Sequence, residues 1–365
     1  MSLVLIAIIR RLPTPGNANT NSTTIKPPNI QPTLLAITVI VGIIAFGVNG
    51  GFFHPALAVA NNWFVRRRSF AMGLANSFSR LGSLFLVPVL AWLVDPDIPD
   101  RLGWSLTALI LGVITIAVAF PLTRLLRNRP EDYGLLPDGD THEDLVRRSR
   151  EANERGETLE TGLDFTVSQA LRSRAFWFIS LGHGFTSMVL LAFMLHLAPM
   201  MTDQSYSLQT ASFVVSAYTA VSMVFQLIGG YVGDRIPKNV ALMMFTMCQA
   251  AGVFYLTFGP PTLVTAYGFA LLFGIGFGGR SPISSSIRGD YFGRQHYGKI
   301  MGISQVPMNV LLLIGPVFAG YMRDSTGTYT VAFAVLGGLA VVGGFCFLMA
   351  TKPRNPHEDI VESIS

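Results

Sequence analysis

Half of the 365 residues are hydrophobic, only 13% are charged, and the mean hydropathy is +0.48, which is too apolar for a soluble domain of this size. The formal charge of +5 is arranged as the positive-inside rule requires, so it points to a membrane and not to nucleic acid. Cys248 and Cys346 both lie in apolar runs, which speaks against a disulfide framework and a thiolate metal site.

In chain order, Met1–Ile9 is apolar but too short to cross a bilayer and too short for a complete signal peptide. Arg10 to Thr33 is rich in Pro, Asn and Thr, so residues 1–33 read as an exposed N-terminal segment. Its sequon Asn21-Ser22-Thr23 is read as incidental. Apolar runs of the ~20 residues needed to span a hydrocarbon core follow at 34–62, 69–94, 103–124, 175–200, 208–232, 239–258, 262–286, 298–322 and 329–350. Helices satisfy their own backbone groups in lipid, and the alternating ten-residue segments of a lipid-facing barrel are absent. The expected fold is therefore an all-α membrane protein with about nine transmembrane helices.

The polar stretch 124–174 holds 20 of the 47 charged residues and reads as a linker, part of it an amphipathic helix. It separates an incomplete N-terminal bundle, 34–123, from a C-terminal six-helix bundle, 175–350, with a tail at 351–365. Arg66-Arg67-Arg68, Arg235, Lys238, Arg288, Arg294, Lys299, Lys352 and Arg354 fall on one side of these spans. The opposite loops carry Asp95, Asp97, Asp100, Asp203 and Asp324, with Arg101 and Arg323 near their ends. The Arg-rich side, the linker and the C-terminus are thus expected in the cytoplasm.

One pattern occurs twice. Gly47, Gly51, Pro55, Phe64, Met72, Gly73, Pro88 and Ala91 match Gly274, Gly278, Pro282, Phe292, Met301, Gly302, Pro316 and Ala319 at offsets of 227 to 229 residues. A parallel repeat of helix bundles is one way secondary transporters are built. The Gly-x-x-x-Gly spacing of Gly47/Gly51 and Gly274/Gly278 lets helix backbones approach closely. Pro88 and Pro316 should kink their helices, with or without a role in gating. The second copy lies in the fourth and fifth of six spans and the first copy in the first and second of three. Equivalent halves then imply that three N-terminal helices are lacking, through a truncated gene product, a mis-assigned start or a genuine nine-helix variant.

Gly230-Tyr231-Val232-Gly233-Asp234-Arg235-Ile236-Pro237-Lys238 resembles the Gly-x-x-x-Asp-Arg-x-Gly-Arg/Lys loop between helices eight and nine of the major facilitator superfamily. Pro237 stands where that loop usually has Gly. Asn61-Asn62-Trp63-Phe64-Val65-Arg66-Arg67-Arg68 with Ala71-Met72-Gly73 resembles the family's loop between helices four and five. Asp290-Tyr291-Phe292-Gly293-Arg294 with Gly298-Lys299-Ile300-Met301-Gly302 resembles its counterpart between helices ten and eleven. Arg129-Pro130-Glu131-Asp132-Tyr133-Gly134-Leu135-Leu136-Pro137-Asp138-Gly139 is similar to bacterial members near the oxalate/formate antiporters and monocarboxylate carriers. The resemblance covers residues 34–350 and implies a major-facilitator-like bundle with the equivalents of helices 4–12. It also implies a multi-pass protein of a bacterial inner membrane, working as a monomer.

Asp234 at a helix end, with Gly230, Arg235 and Lys238, can pair with cations of a neighbouring helix or cap its N-terminus. Such a latch would stabilise one of two rocking states; the alternative is a solvated turn that only sets topology. None of the nine spans contains Asp or Glu, yet they contain Arg80 and Arg280. A buried arginine needs a partner, and an anionic substrate held by the guanidinium fork would supply one. The alternatives are bonds to carbonyls or to an acid in the lacking N-terminal helices for Arg80, and snorkelling or backbone bonding with helix four for Arg280. Tyr218, Gln226 and Asn309 are candidate lining residues, or else interhelical hydrogen bonds. His183 and His196 are candidates for proton coupling, but thirteen residues place them about 220° apart on one helix.

No metal-binding, phosphate-binding or nucleophile motif is present, so no enzyme, metal site or cofactor is expected, and the lipid bilayer and a small solute are the partners. The function expected is secondary active transport of a small organic anion, a mono- or dicarboxylate, by alternating access, with H⁺ as a candidate coupling ion. A transport-incompetent remnant or solute sensor, and an efflux pump for hydrophobic compounds, remain as alternatives.

Overall fold

The computed structural model describes residues 54–94, 103–125, 127–154 and 164–354. Among them are eleven α-helices and no strands: α1 (His54–Trp63), α2 (Arg68–Val94), α3 (Gly103–Leu125), α4 (His142–Glu154), α5 (Val167–Arg172), α6 (Arg174–Asp203), α7 (Leu208–Gly233), α8 (Lys238–Phe258), α9 (Leu263–Phe292), α10 (Tyr297–Thr326) and α11 (Thr330–Met349). Two short 3-10 turns, Glu131–Tyr133 and Pro137–Gly139, lie between α3 and α4. Seven helices, α3 and α6 to α11, are long and apolar enough to cross a membrane. α2, at 27 residues, has the length as well. Most of the first expected span, with Gly47 and Gly51, lies outside the described residues, as do 1–53, Asp95, Asp97, Asp100 and the tail from 355.

Local sequence sets several helix starts. The hydroxyls of Ser173, Ser207 and Thr262 accept the amide N–H three residues on, at the starts of α6, α7 and α9. Thr166 and Gln169 close a reciprocal capping box on α5. α9 departs from the expected span: it runs six residues further, to Phe292, and carries Arg288 and Asp290 on its last turns.

The six helices α6 to α11 pack as a bundle in which α9 lies against α7 and α8, and α6 lies against α10 and α11. α2 joins this bundle along α7 and α9, whereas α3 leans on α2 by a narrow strip and leaves Leu109, Ile116 and Phe120 exposed. Small residues set the α7–α9 distance. A Cβ on Gly278 would stand 2.8 Å from the Ser222 Cα, and one on Gly229 would stand 2.7 Å from the Gly279 carbonyl carbon. Neither position admits a side chain without moving backbone. Phe193, Phe269, Phe273 and Phe333 form an aromatic cluster toward one end, with Phe193 and Phe333 centroids 4.2 Å apart.

The repeat is visible in the chain path. α1 ends at Trp63 and α2 begins at Arg68; α9 ends at Phe292 and α10 begins at Tyr297. Both boundaries differ by 229 residues, so the structural partner of Phe292 is Trp63, not the Phe64 that residue identity pairs with it. Helix ends define the equivalence, and an aromatic one position over mimics it in sequence.

Candidate functional site

Two regions of the α2–α9 seam gather the sequence candidates. In the first, α2 supplies Arg80, α9 supplies Phe277 and Arg280, α7 supplies Tyr218 and α8 supplies Gln249. Arg80 stands 4.7 Å from the centre of the Phe277 ring and Arg280 stands 6.0 Å from it, so one aromatic ring holds both cations by its negative face. Arg280 is 2% exposed, and its Nε donates to Gln249 Oε1 at 3.3 Å. Gln249 Nε2 donates in turn to the Thr186 carbonyl at 3.4 Å. Tyr218 lies within electrostatic range of Arg80 and sets its ring edge-on to Phe273 at 5.6 Å. Among the described residues no carboxylate pairs with either arginine. Gln249 was missed in the sequence, where it is one amide in an apolar run; only its reach to α9 singles it out.

The other candidates separate. Gln226 is fully buried on α7, with its backbone carbonyl against Gly73 and both amide atoms without a partner among the described residues. Asn309 is exposed on α10. His183 Nδ1 lies 3.3 Å from Arg288 Nη2. A guanidinium only donates, so this ring nitrogen is the acceptor. His196 is bonded on both nitrogens, to Tyr329 Oη at 3.2 Å and to the Pro316 carbonyl at 3.0 Å. The two histidines thus face different helices. Arg288, counted in the sequence as a loop cation, is 1% exposed and also donates to the Ser284 carbonyl.

The second region is the Arg-rich end. Asp234 Oδ1 accepts the N–H of Ser69 and its Oδ2 that of Phe70, both at 2.9 Å, so a carboxylate from the end of α7 caps the N-terminus of α2. Gly230 makes room: a Cβ there would stand 2.8 Å from the Phe70 Cα. Lys238 pairs with Asp234 at 3.7 Å and with Asp290. Asp290 pairs also with Arg68, which is 2% exposed, and Ser69 Oγ shares a hydrogen bond of 2.6 Å with Ser286 Oγ. Arg235 stays on its own helix, stacked on Tyr231 at 3.3 Å and bonded to its carbonyl. No group of three or more metal-ligating side chains occurs among the described residues.

The sequence profile of the Major Facilitator Superfamily matches residues 28–197 and 176–363. The chain belongs to this superfamily. Similar members include monocarboxylate transporter 13 of Bos taurus (26% identical over 330 residues, 85% of this chain and 67% of the relative) and monocarboxylate transporter 11 of Homo sapiens (26% over 322 residues, 84% and 62%). Monocarboxylate transporter 1 of Homo sapiens is 26% identical over 341 residues, 86% and 65%. The chain thus spans about two thirds of the length of these relatives. Among solved structures it resembles the E. coli fucose:proton symporter FucP at TM-score 0.55, and FucP in the outward conformation at 0.57. Both comparisons are at 14% identity over 82% of this chain and 72% of the other, a likeness of fold. These family members are transporters and not enzymes, as the missing enzyme motifs led one to expect.

Proposed function

We propose that the chain is a secondary active carrier for a small organic anion, a monocarboxylate or dicarboxylate, working by alternating access. One observation carries the reading: Arg80 and Arg280, from helices on the two sides of the repeat, meet at the Phe277 ring with no carboxylate among the described residues paired to either. A buried cation in lipid costs a few kcal/mol unless something neutralises it, and a bound carboxylate does so with two charge-assisted hydrogen bonds. The monocarboxylate transporters among its relatives support the same substrate class.

In this reading residues 34–123 and 175–350 are the two rocking bundles, 124–174 the linker, and the Arg-rich end the cytoplasmic face with the C-terminus. Asp234, Gly230 and Lys238 then form the gate, closed at this face. Purified protein in liposomes should take up labelled lactate or oxalate, and Arg280→Ala should cut binding about tenfold or more, the worth of one charge-assisted contact. Arg280→Lys should recover part of it. Uptake unchanged by Arg280→Ala would reject the site. Anion binding without uptake would favour a sensor over a carrier.

A further inference from the structure

The stretch between α3 and α6 touches both copies of the repeat in the same way. Asp138 Oδ2 accepts the N–H of Val65 at 3.1 Å and of Arg66 at 2.9 Å. Asp164 Oδ1 accepts the N–H of Arg294 at 3.1 Å and of Gln295 at 3.0 Å. Val65 and Arg294 differ by 229 positions, and so do Arg66 and Gln295, the offset that relates the helix ends. Two linker carboxylates therefore grip the same pair of turn amides in each copy. Asp138 does so from a left-handed backbone conformation, φ 60°, which aspartate tolerates better than most side chains.

Each grip is reinforced locally. Near the first, the Trp63 indole donates to the Arg127 carbonyl at 2.7 Å and Asn62 Nδ2 to the Asn128 carbonyl at 3.1 Å. There too, Asp140 pairs with Arg66 and Arg148, each at 2.5 Å. Near the second, the Phe165 N–H donates to the Phe292 carbonyl at 3.1 Å, and the two rings meet edge-to-face at 5.7 Å. The first part of the linker is thus fastened to the α1–α2 turn and the last part to the α9–α10 turn. Beside the Arg68–Asp290 pair of the adjoining helix ends, an ion pair of the linker also crosses between these groups: Glu131, in the first part, with Arg294 of the second turn.

We infer that the linker is a strap with a grip on each repeat-equivalent turn, and that Glu131 and Arg294 are positioning residues of the gate, whose pair must part before the two turns can separate. This rests on the alternating-access reading, and it adds to the Asp234 latch a second, independent hold at the same face. If the strap were only a tether, the carboxylates would have no reason to select matching amides and no charge would need to cross.

The test uses the full chain in nanodiscs with Cys248 and Cys346 replaced by alanine and spin labels at exposed Arg67 and Lys299, one beside each turn. Glu131→Arg and Arg294→Glu should each move the distance distribution toward longer values, and the double swap should restore it. Glu131→Gln, at a half-exposed side chain, should do the same as Glu131→Arg with little risk to folding. In hydrogen exchange, Asp138→Ala should speed the Val65 and Arg66 amides about tenfold and leave Arg294 and Gln295 slow, and Asp164→Ala should do the reverse. Distances unmoved by all three charge changes, or unrestored by the double swap, overturn the inference. The distances are read without substrate, so an altered distribution in a protein that carries no anion sustains the strap and fails the carrier. Unaltered distances in an active carrier fail the strap alone.

Discussion

Arginine is buried at two levels of the α2–α9 seam, and the two levels treat it in opposite ways. At the Arg-rich end Arg68 meets Asp290, which also holds Lys238, while Asp234 caps the next two amides. About 18 Å further along α2, counting 1.5 Å per residue, Arg80 and Arg280 share the Phe277 ring, with Tyr218 near Arg80 and the Gln249 amide oxygen on Arg280, and no carboxylate among the described residues pairs with either. Paired charge makes a joint, since each partner is costly to leave alone once its counter-ion is gone. In the reading proposed above, charge of the same kind with no acid paired to it among the described residues is a site, whose counter-ion would arrive as the bound anion. The same side chain is structural at one level and available at the other, and the difference lies in which acids its neighbours carry.

The largest expected effect tests the joint. Asp290→Asn leaves Arg68 and Lys238 with a neutral amide between them, and removing one partner of a buried pair typically costs about 3–5 kcal/mol. The melting temperature in detergent should fall well below that of the parent, whereas Arg280→Ala, which strips no ion pair, should melt close to it. Equal losses would erase the distinction between joint and site. A smaller effect separates cap from charge: Asp234→Ala should cost about 1–2 kcal/mol, the worth of a helix cap, and Asp234→Asn, whose side-chain oxygen still accepts an N–H, should cost less. Thermal melts of the two variants side by side give the answer.

The smallest effect is a pH dependence at Glu131. Partial burial pushes its carboxyl up, but the hydrogen bond from Arg294, with the charges of Arg294 and Arg129, outweighs this and holds it below the ordinary carboxylate value. A carboxylate lowered in the folded state adds stability that is complete above the ordinary carboxylate range and is lost as the pH falls through the lowered value. The Arg67–Lys299 label distance should therefore stay constant from neutral to mildly acidic pH and lengthen only below the ordinary carboxylate range. Glu131→Gln should show no such step. Because the pair is partly exposed, the change is worth less than about 1 kcal/mol.

Much of this could be read before folding. The apolar runs at 208–232 and 239–258 end within one residue of α7 and α8, because a span is a local count of residues against bilayer thickness. For Asp234 the loop motif offered pairing or capping, and its carboxylate caps α2 while its ion pair is with Lys238 of its own loop. Arg280 was legible as a charge out of place. Arg288 and Arg68 were not: next to polar turns they read as solvated loop cations, and only the extra turns of α9 and the approach of α2 bury them. Gln249 and Asp164 were also invisible, since an amide in an apolar run and an acid in a charged linker look like many others until a partner is seen.

The sequence by itself determined the membrane class, the all-α spans, the repeat and the superfamily, all of which follow from periodicity, length and motifs within a few tens of residues. Only the tertiary structure decided which arginine has an acid. The Arg68–Asp290 bond joins residues 222 apart, and the Asp138 and Asp164 grips join linker to turns across 72 to 131 positions. Charge pairing depends on separations of a few ångströms, and those are fixed by how helices pack, through close contacts such as Gly278 on Ser222, and not by the order of residues along any one of them.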